Sequence, residues 1–136
     1  MPYDADRMCG LVNDVERYPE FLPFCAGARV LSNTPEEMTA SVDLAVGAFH
    51  RSFVTRNALT PGRRIDISLV SGPFKQLHGA WRFEPLENDH CEVILELEYQ
   101  FSNRLVSLAL APIFSHLGEI LVTAFKQRAE EIFGGG

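Results

Sequence analysis

The sequence predicts an α+β domain in which a curved antiparallel sheet wraps around one long C-terminal helix. Two hydrophobic periods carry that reading. Between Thr39 and Phe101 apolar residues recur at every second position in several runs, the pattern of strands with one wet and one dry face. From Arg104 onward they recur at helical spacing. A chain of 136 residues, 46% hydrophobic and 22% charged, has the size and composition of a single globular domain, here residues 1–136.

The elements follow in order. Asp4 to Asn13 reads as a short helix, capped by Asp4 or Asp6, with Met8, Leu11, Val12 and Val15 at helical spacing. A second short helix covers Val15 to Phe21 before Pro23, and neither is long enough to stand alone. Ala40, Val42, Leu44 and Val46 then alternate with Thr39, Ser41, Asp43 and Ala45. Ile65, Ile67 and Leu69 alternate with Asp66 and Ser68, and Leu77, Gly79, Trp81 and Phe83 with His78, Ala80, Arg82 and Glu84. Val93, Leu95, Leu97, Tyr99 and Phe101 form the last strand's dry face. Asn33-Thr34-Pro35, Pro61-Gly62, Ser71-Gly72-Pro73 and Asn88-Asp89 supply turn chemistry between runs, so the strands make a meander.

The final helix is expected from Arg104 to about Phe133. Leu110, Ile113, Phe114, Leu117, Leu121, Ala124, Phe125, Arg128 and Ile132 trace one stripe along it. Unbroken, it would run roughly 40 Å, long enough to cross the sheet. Pro112 should bend or restart it near its first turns, and Gly134 to Gly136 end it.

Several function classes are excluded or weakened. A net charge of −6 does not suit a basic nucleic-acid glove, and no DNA partner is expected. The charge is uneven, however. Arg51, Arg56, Arg63, Arg64, Lys75 and Arg82 share their segment with one acid, Asp66, while Phe83 to Tyr99 holds six acids and no Lys or Arg. Strands of opposite sign pair across a sheet; alternatively these cations form a face for an anionic partner. Cys9, Cys25 and Cys91 are odd in number and lack CxxC spacing, which fits free thiols in a reducing cytoplasm. The apolar window Leu105 to Ile113 is far too short for a membrane span. The expected location is the cytoplasm, with at most transient contact at the inner membrane surface.

Catalytic constellations are missing from the sequence. His50, His78, His90 and His116 are scattered without HExxH or cysteine companions, and no GxSxG, phosphate loop or GxGxxG occurs. His116 and Glu119 are two ligands without a third. Glu96 and Glu98 alternate with dry-face residues and should both face solvent. The reading is non-enzymatic. Periodicity leaves open whether sheet and helix enclose a solid interior or a hollow lined by aromatics.

One stretch carries a resemblance. Val12-Asn13-Asp14-Val15-Glu16-Arg17-Tyr18-Pro19-Glu20-Phe21-Leu22-Pro23 resembles the signature of the coenzyme Q-binding, START-like family, also called the polyketide cyclase/dehydrase-like group. Gly72-Pro73-Phe74-Lys75-Gln76-Leu77 followed by Gly79, Trp81 and Phe83 forms a second matching block. Met38-Thr39-Ala40 and Phe53-Val54-Thr55-Arg56-Asn57 are similar to its bacterial branch, which includes the ribosome association toxin RatA.

The resemblance implies a helix-grip, birch-pollen-allergen-like fold with a hydrophobic tunnel that takes ubiquinone or a related polyisoprenoid in support of respiration, with no cofactor or metal. It equally implies an alternative, a toxin that binds the large ribosomal subunit and blocks subunit joining. For the lipid reading, Tyr18, Phe21, Leu22 and Phe24 are candidate gate residues at the tunnel mouth, and Phe74 plugs the tunnel end or closes on a ligand. Leu77, Trp81, Phe83, Leu97 and Tyr99 are candidate ligand contacts from the strands, facing Phe114, Leu117, Leu121 and Phe125 of the helix. The six cations named above are candidate contacts for ribosomal RNA or lipid headgroups. In such a fold a strand precedes the first helix and pairs beside the final strand. Here Met1 stands where that strand finishes, so an apolar edge open to dimerisation or strand exchange is expected. Phe24 replaces a smaller residue or a tryptophan of the family pattern.

Overall fold

The computed structural model describes residues 3–22 and 24–134. The expectations that fell on Met1, Pro23, Gly135 and Gly136 lie outside the described residues. Helix α1 spans Ala5–Asn13, and Asp4, not Asp6, caps it by accepting a hydrogen bond from the Arg7 amide at 2.8 Å. The next turn is a tight 3-10 helix, Val15–Glu20, with Pro19 inside it.

Six strands follow: β1 Cys25–Asn33, β2 Glu37–Val46, β3 Phe49–Thr60, β4 Arg64–Ser71, β5 Phe74–Pro85 and β6 Cys91–Phe101. They form one sheet in the order β1-β2-β3-β4-β5-β6, every pair antiparallel, which is the expected meander. Register shifts in β1, at Val54/Thr55 and at Phe74/Gln76 help to curve it. Asn88 and Asp89 take left-handed backbone conformations at the β5–β6 turn, which these two residue types tolerate. Among the described residues no strand pairs with the outer edge of β6, and its inner face is only half-buried.

Two strands escaped the period-two reading. Small residues and two register shifts break the alternation of β1. In β3 the inward positions run Phe53, Thr55, Asn57, so the buried face is partly polar and hides the pattern.

The single long helix is corrected to two. Helix α2, Arg104–Phe114, and helix α3, Leu117–Phe133, meet at 48°. Pro112 cannot donate to the turn before it, and the chain gives way just beyond it and restarts, the break expected of this residue. Ser115 Oγ donates back to the Pro112 carbonyl at 3.1 Å, and the helix restarts with the Ile120 amide bonded to the His116 carbonyl.

The break divides the packing. The C-terminal half of α3 joins α1 over the β4–β6 part of the sheet, burying Met8, Val12, Ile65, Trp81, Phe83, Phe125 and Ala129. Helix α2 and the start of α3 cover the other end with Val106, Leu110, Phe114 and Leu117 against Phe24, Leu44, Phe74 and Leu77. A third cluster joins Val15 to Met38 and Ala40. Each fully buried large side chain among these stabilises the fold by about 1.5–3 kcal/mol.

Candidate functional site

The three clusters do not merge into a solid centre. Between them lies a cavity of about 130 Å³ walled by the concave sheet, both C-terminal helices and the segment around the 3-10 turn. The interior that periodicity left open is therefore hollow.

Ten of the fourteen anticipated ligand residues line it: Tyr18, Leu22, Phe24, Leu77, Trp81, Leu97, Phe114, Leu117, Leu121 and Phe125. Four do not, each because its ring is used in packing. Phe21 lies outside the wall, edge-on to Tyr18 and Phe125. Phe74 packs between Phe53, Phe101 and Phe114, behind the wall that Phe53 and Phe114 form. Phe83 is fully buried one layer away, stacked along Trp81 against α1. Tyr99 packs on Phe101 and Phe114 and donates its hydroxyl to the Phe114 carbonyl at 3.4 Å.

Sequence reasoning missed Val15, Cys25, Ala40, Val42, Phe53, Thr55, Asn57 and Ile67 on the wall. Three of these lie on β3, the strand without a clean alternation. Ala40, Val42 and Ile67 carried the right period and could have been found from it.

The wall is overwhelmingly apolar, and its polar groups are few. Tyr18 donates its hydroxyl to the Val12 carbonyl, and burial pushes its phenol well above the ordinary range. Cys25 donates to the Gly27 carbonyl at 3.4 Å, and burial raises its thiol. Thr55 and Asn57 are buried on the inner face of β3, and Asn57 Oδ1 has no hydrogen-bond partner. With so few polar groups on the wall, the cavity is built for retention by shape and apolar contact.

Five of the six anticipated cations are exposed and Arg82 is half-buried, and they do not act as one unit. Arg56 pairs with Glu37 at 3.4 Å and Arg64 with Asp66 at 2.8 Å. Arg82 bridges to Glu96 on β6 at 2.5 Å and to Glu84 at 3.6 Å. Opposite charges on β5 and β6 thus pair across the sheet. Arg63 donates to the Gly62 carbonyl, while Arg51 and Lys75 stand exposed on β3 and β5.

The family described as "Polyketide cyclase / dehydrase and lipid transport" matches residues 1–126. The chain belongs to that family. Among its relatives, the ribosome association toxin RatA of Vibrio cholerae is 47% identical over 97% of this chain and 92% of its own. The mitochondrial coenzyme Q-binding protein COQ10 of Dictyostelium discoideum is 22% identical over 98% and 67% respectively. A solved 18 kDa protein of Caulobacter crescentus superposes with a TM-score of 0.75 at 30% identity, covering 98% and 93% of the two chains. The Zhui aromatase/cyclase of Streptomyces shares the fold, TM-score 0.81, at 15% identity over 98% and 92%. The helix-grip, START-like architecture of the chain is therefore plain.

Proposed function

We propose that this chain binds a polyisoprenoid lipid of the ubiquinone class in its cavity and performs no covalent chemistry on it. The apolar hollow between sheet and helices carries the reading. Its volume of about 130 Å³ is close to that of an engineered cavity that accepts benzene, so it suits one six-membered ring with small substituents. A long tail must then leave the cavity or displace the jointed helices. Burial of ring and first isoprene units stabilises the complex by about 25 cal/mol per Å² of apolar surface. The proposed setting is the cytoplasm, with transient contact at the inner membrane during lipid exchange in support of respiration. The name of the COQ10 relative agrees with this ligand class.

The test is organic extraction of the purified full-length protein, followed by mass spectrometry and titration with short-chain quinones. Recovery or saturable uptake of a quinone is the expected result; a protein that neither carries nor takes up quinone ends the proposal.

A second reading has its own support. Identity of 47% to a protein named as a ribosome association toxin, over nearly the whole chain, favours binding to the large ribosomal subunit and interference with subunit joining. The exposed cations Arg51, Arg63 and Lys75 are the contacts to substitute first. Expression followed by sucrose-gradient profiles should raise free subunits at the expense of whole ribosomes, less so for Arg63→Ala. An unchanged profile removes this reading.

A further inference from the structure

Asn57 is the anomaly of the cavity. It sits on β3, paired in register with Met38 on one side and Ile67 on the other, and its side chain is on the cavity wall. The residue is only 8% exposed, yet its Oδ1 has no hydrogen-bond partner. Buried carboxamides are almost always satisfied, and one left open inside an apolar chamber calls for an outside partner. Thr55, two residues earlier on the same face, puts a hydroxyl-bearing side chain on the same wall. Tyr18 and Cys25 cannot help, because their donors are already spent on backbone carbonyls.

We propose that Asn57, flanked by Thr55, anchors the ligand's polar head, and that the cavity prefers a hydroxyl-bearing ring, a quinol or phenol, over the carbonyl-bearing quinone. The inference rests on the lipid-binding reading above and specifies the head group that reading leaves open. A carboxamide presents one acceptor and two donor hydrogens. A quinone has acceptors alone, so it satisfies Nδ2 and leaves Oδ1 stranded. A quinol hydroxyl donates to Oδ1 and accepts from Nδ2. In this orientation of the amide the unpartnered atom is the acceptor Oδ1, and an acceptor calls for a donor. Other donors on the wall serve either form of the ring; the acceptor discriminates. The cavity has room for one such ring, and Asn57 is on its wall.

The chain has one tryptophan, Trp81, and it lies on the cavity wall, so quenching of its fluorescence reports binding directly. Wild-type protein is titrated without oxygen with decylubiquinone and, separately, with the same compound kept reduced by dithionite. The reduced form should bind about tenfold tighter, the worth of one hydrogen bond gained and one orphan relieved. The bound pair should then show a midpoint potential raised by about 30 mV, since a tenfold preference for the reduced form of a two-electron couple equals that shift. In Asn57→Leu the two affinities should fall within about twofold of each other. Equal affinities in wild type, tighter binding of the oxidised form, or a preference that survives Asn57→Leu each overturn the inference while leaving lipid binding intact. Binding of neither form by the wild-type protein removes the lipid reading itself. The wild-type comparison needs no variant to fold.

Discussion

Arg128 of α3 donates from Nη2 to Glu20 Oε1 at 2.7 Å, across 108 residues of sequence, while its guanidinium lies 5.2 Å from the centre of the Phe21 ring. This contact fastens the 3-10 turn bearing Tyr18 onto the helix that forms the cavity's lid. Arg128 is largely buried, so its stem and its cation–π contact contribute beyond the ion pair. Arg128→Met should therefore lower stability by about 1 kcal/mol in urea unfolding and make ligand release faster by stopped flow.

The same pair sets an acid response. Hydrogen bonds from Arg17 and then Arg128 hold the Glu20 carboxyl below its ordinary value of 4.5. The unfolded chain takes up this proton at higher pH than the native chain does. Stability from the carboxylate is thus complete above pH 4.5 and lost as pH falls through the lower native value. Glu20→Gln should be less stable than wild type near neutrality, with the difference narrowing below that pH in parallel thermal melts.

Asn57→Leu should raise stability without ligand by about 1 kcal/mol, because an orphaned buried acceptor disappears. Calorimetry of the ligand-free protein checks this. A lower melting temperature would mean that the carboxamide is satisfied internally.

Gly79 faces Leu97 across the β5–β6 pair, where a Cβ would come within 2.2 Å of the Glu96 carbonyl oxygen. Backbone cannot yield there as a flexible side chain can. Gly79→Ala should cost about 1–3 kcal/mol, read from the denaturant midpoint.

Ala40 is buried on β2 at the cavity wall. Ala40→Leu directs three extra carbons into the hollow, so quinone uptake should drop at least tenfold while the far-UV spectrum stays native. Cys25, on the same wall with its thiol raised by burial, should alkylate more slowly than a free cysteine at neutral pH. Bound ligand should slow it further, as followed by mass spectrometry of its peptide.

Much of this was legible in the residues themselves. Alternation at Ala40–Leu44, Ile65–Leu69, Leu77–Phe83 and Val93–Phe101 placed four strands and their inward faces, because a strand with one dry side must show period two. Helical spacing likewise placed Phe114, Leu117, Leu121 and Phe125 toward the sheet, and all four reached the cavity wall. Phe74, Phe83 and Tyr99 were equally apolar and equally inward, and nothing local distinguishes a ring that fills the core from one that faces a void.

The sequence by itself determined that two short helices precede an antiparallel meander and a C-terminal helical segment, and which faces of four strands turn inward, since these follow from spacing along the chain and from turn chemistry. Tertiary structure decided that α2 and α3 part at 48°, that three packed clusters leave a hollow among them, and that Asn57 lies on its wall. A void is a property of distances between elements far apart in sequence, and no local pattern encodes it.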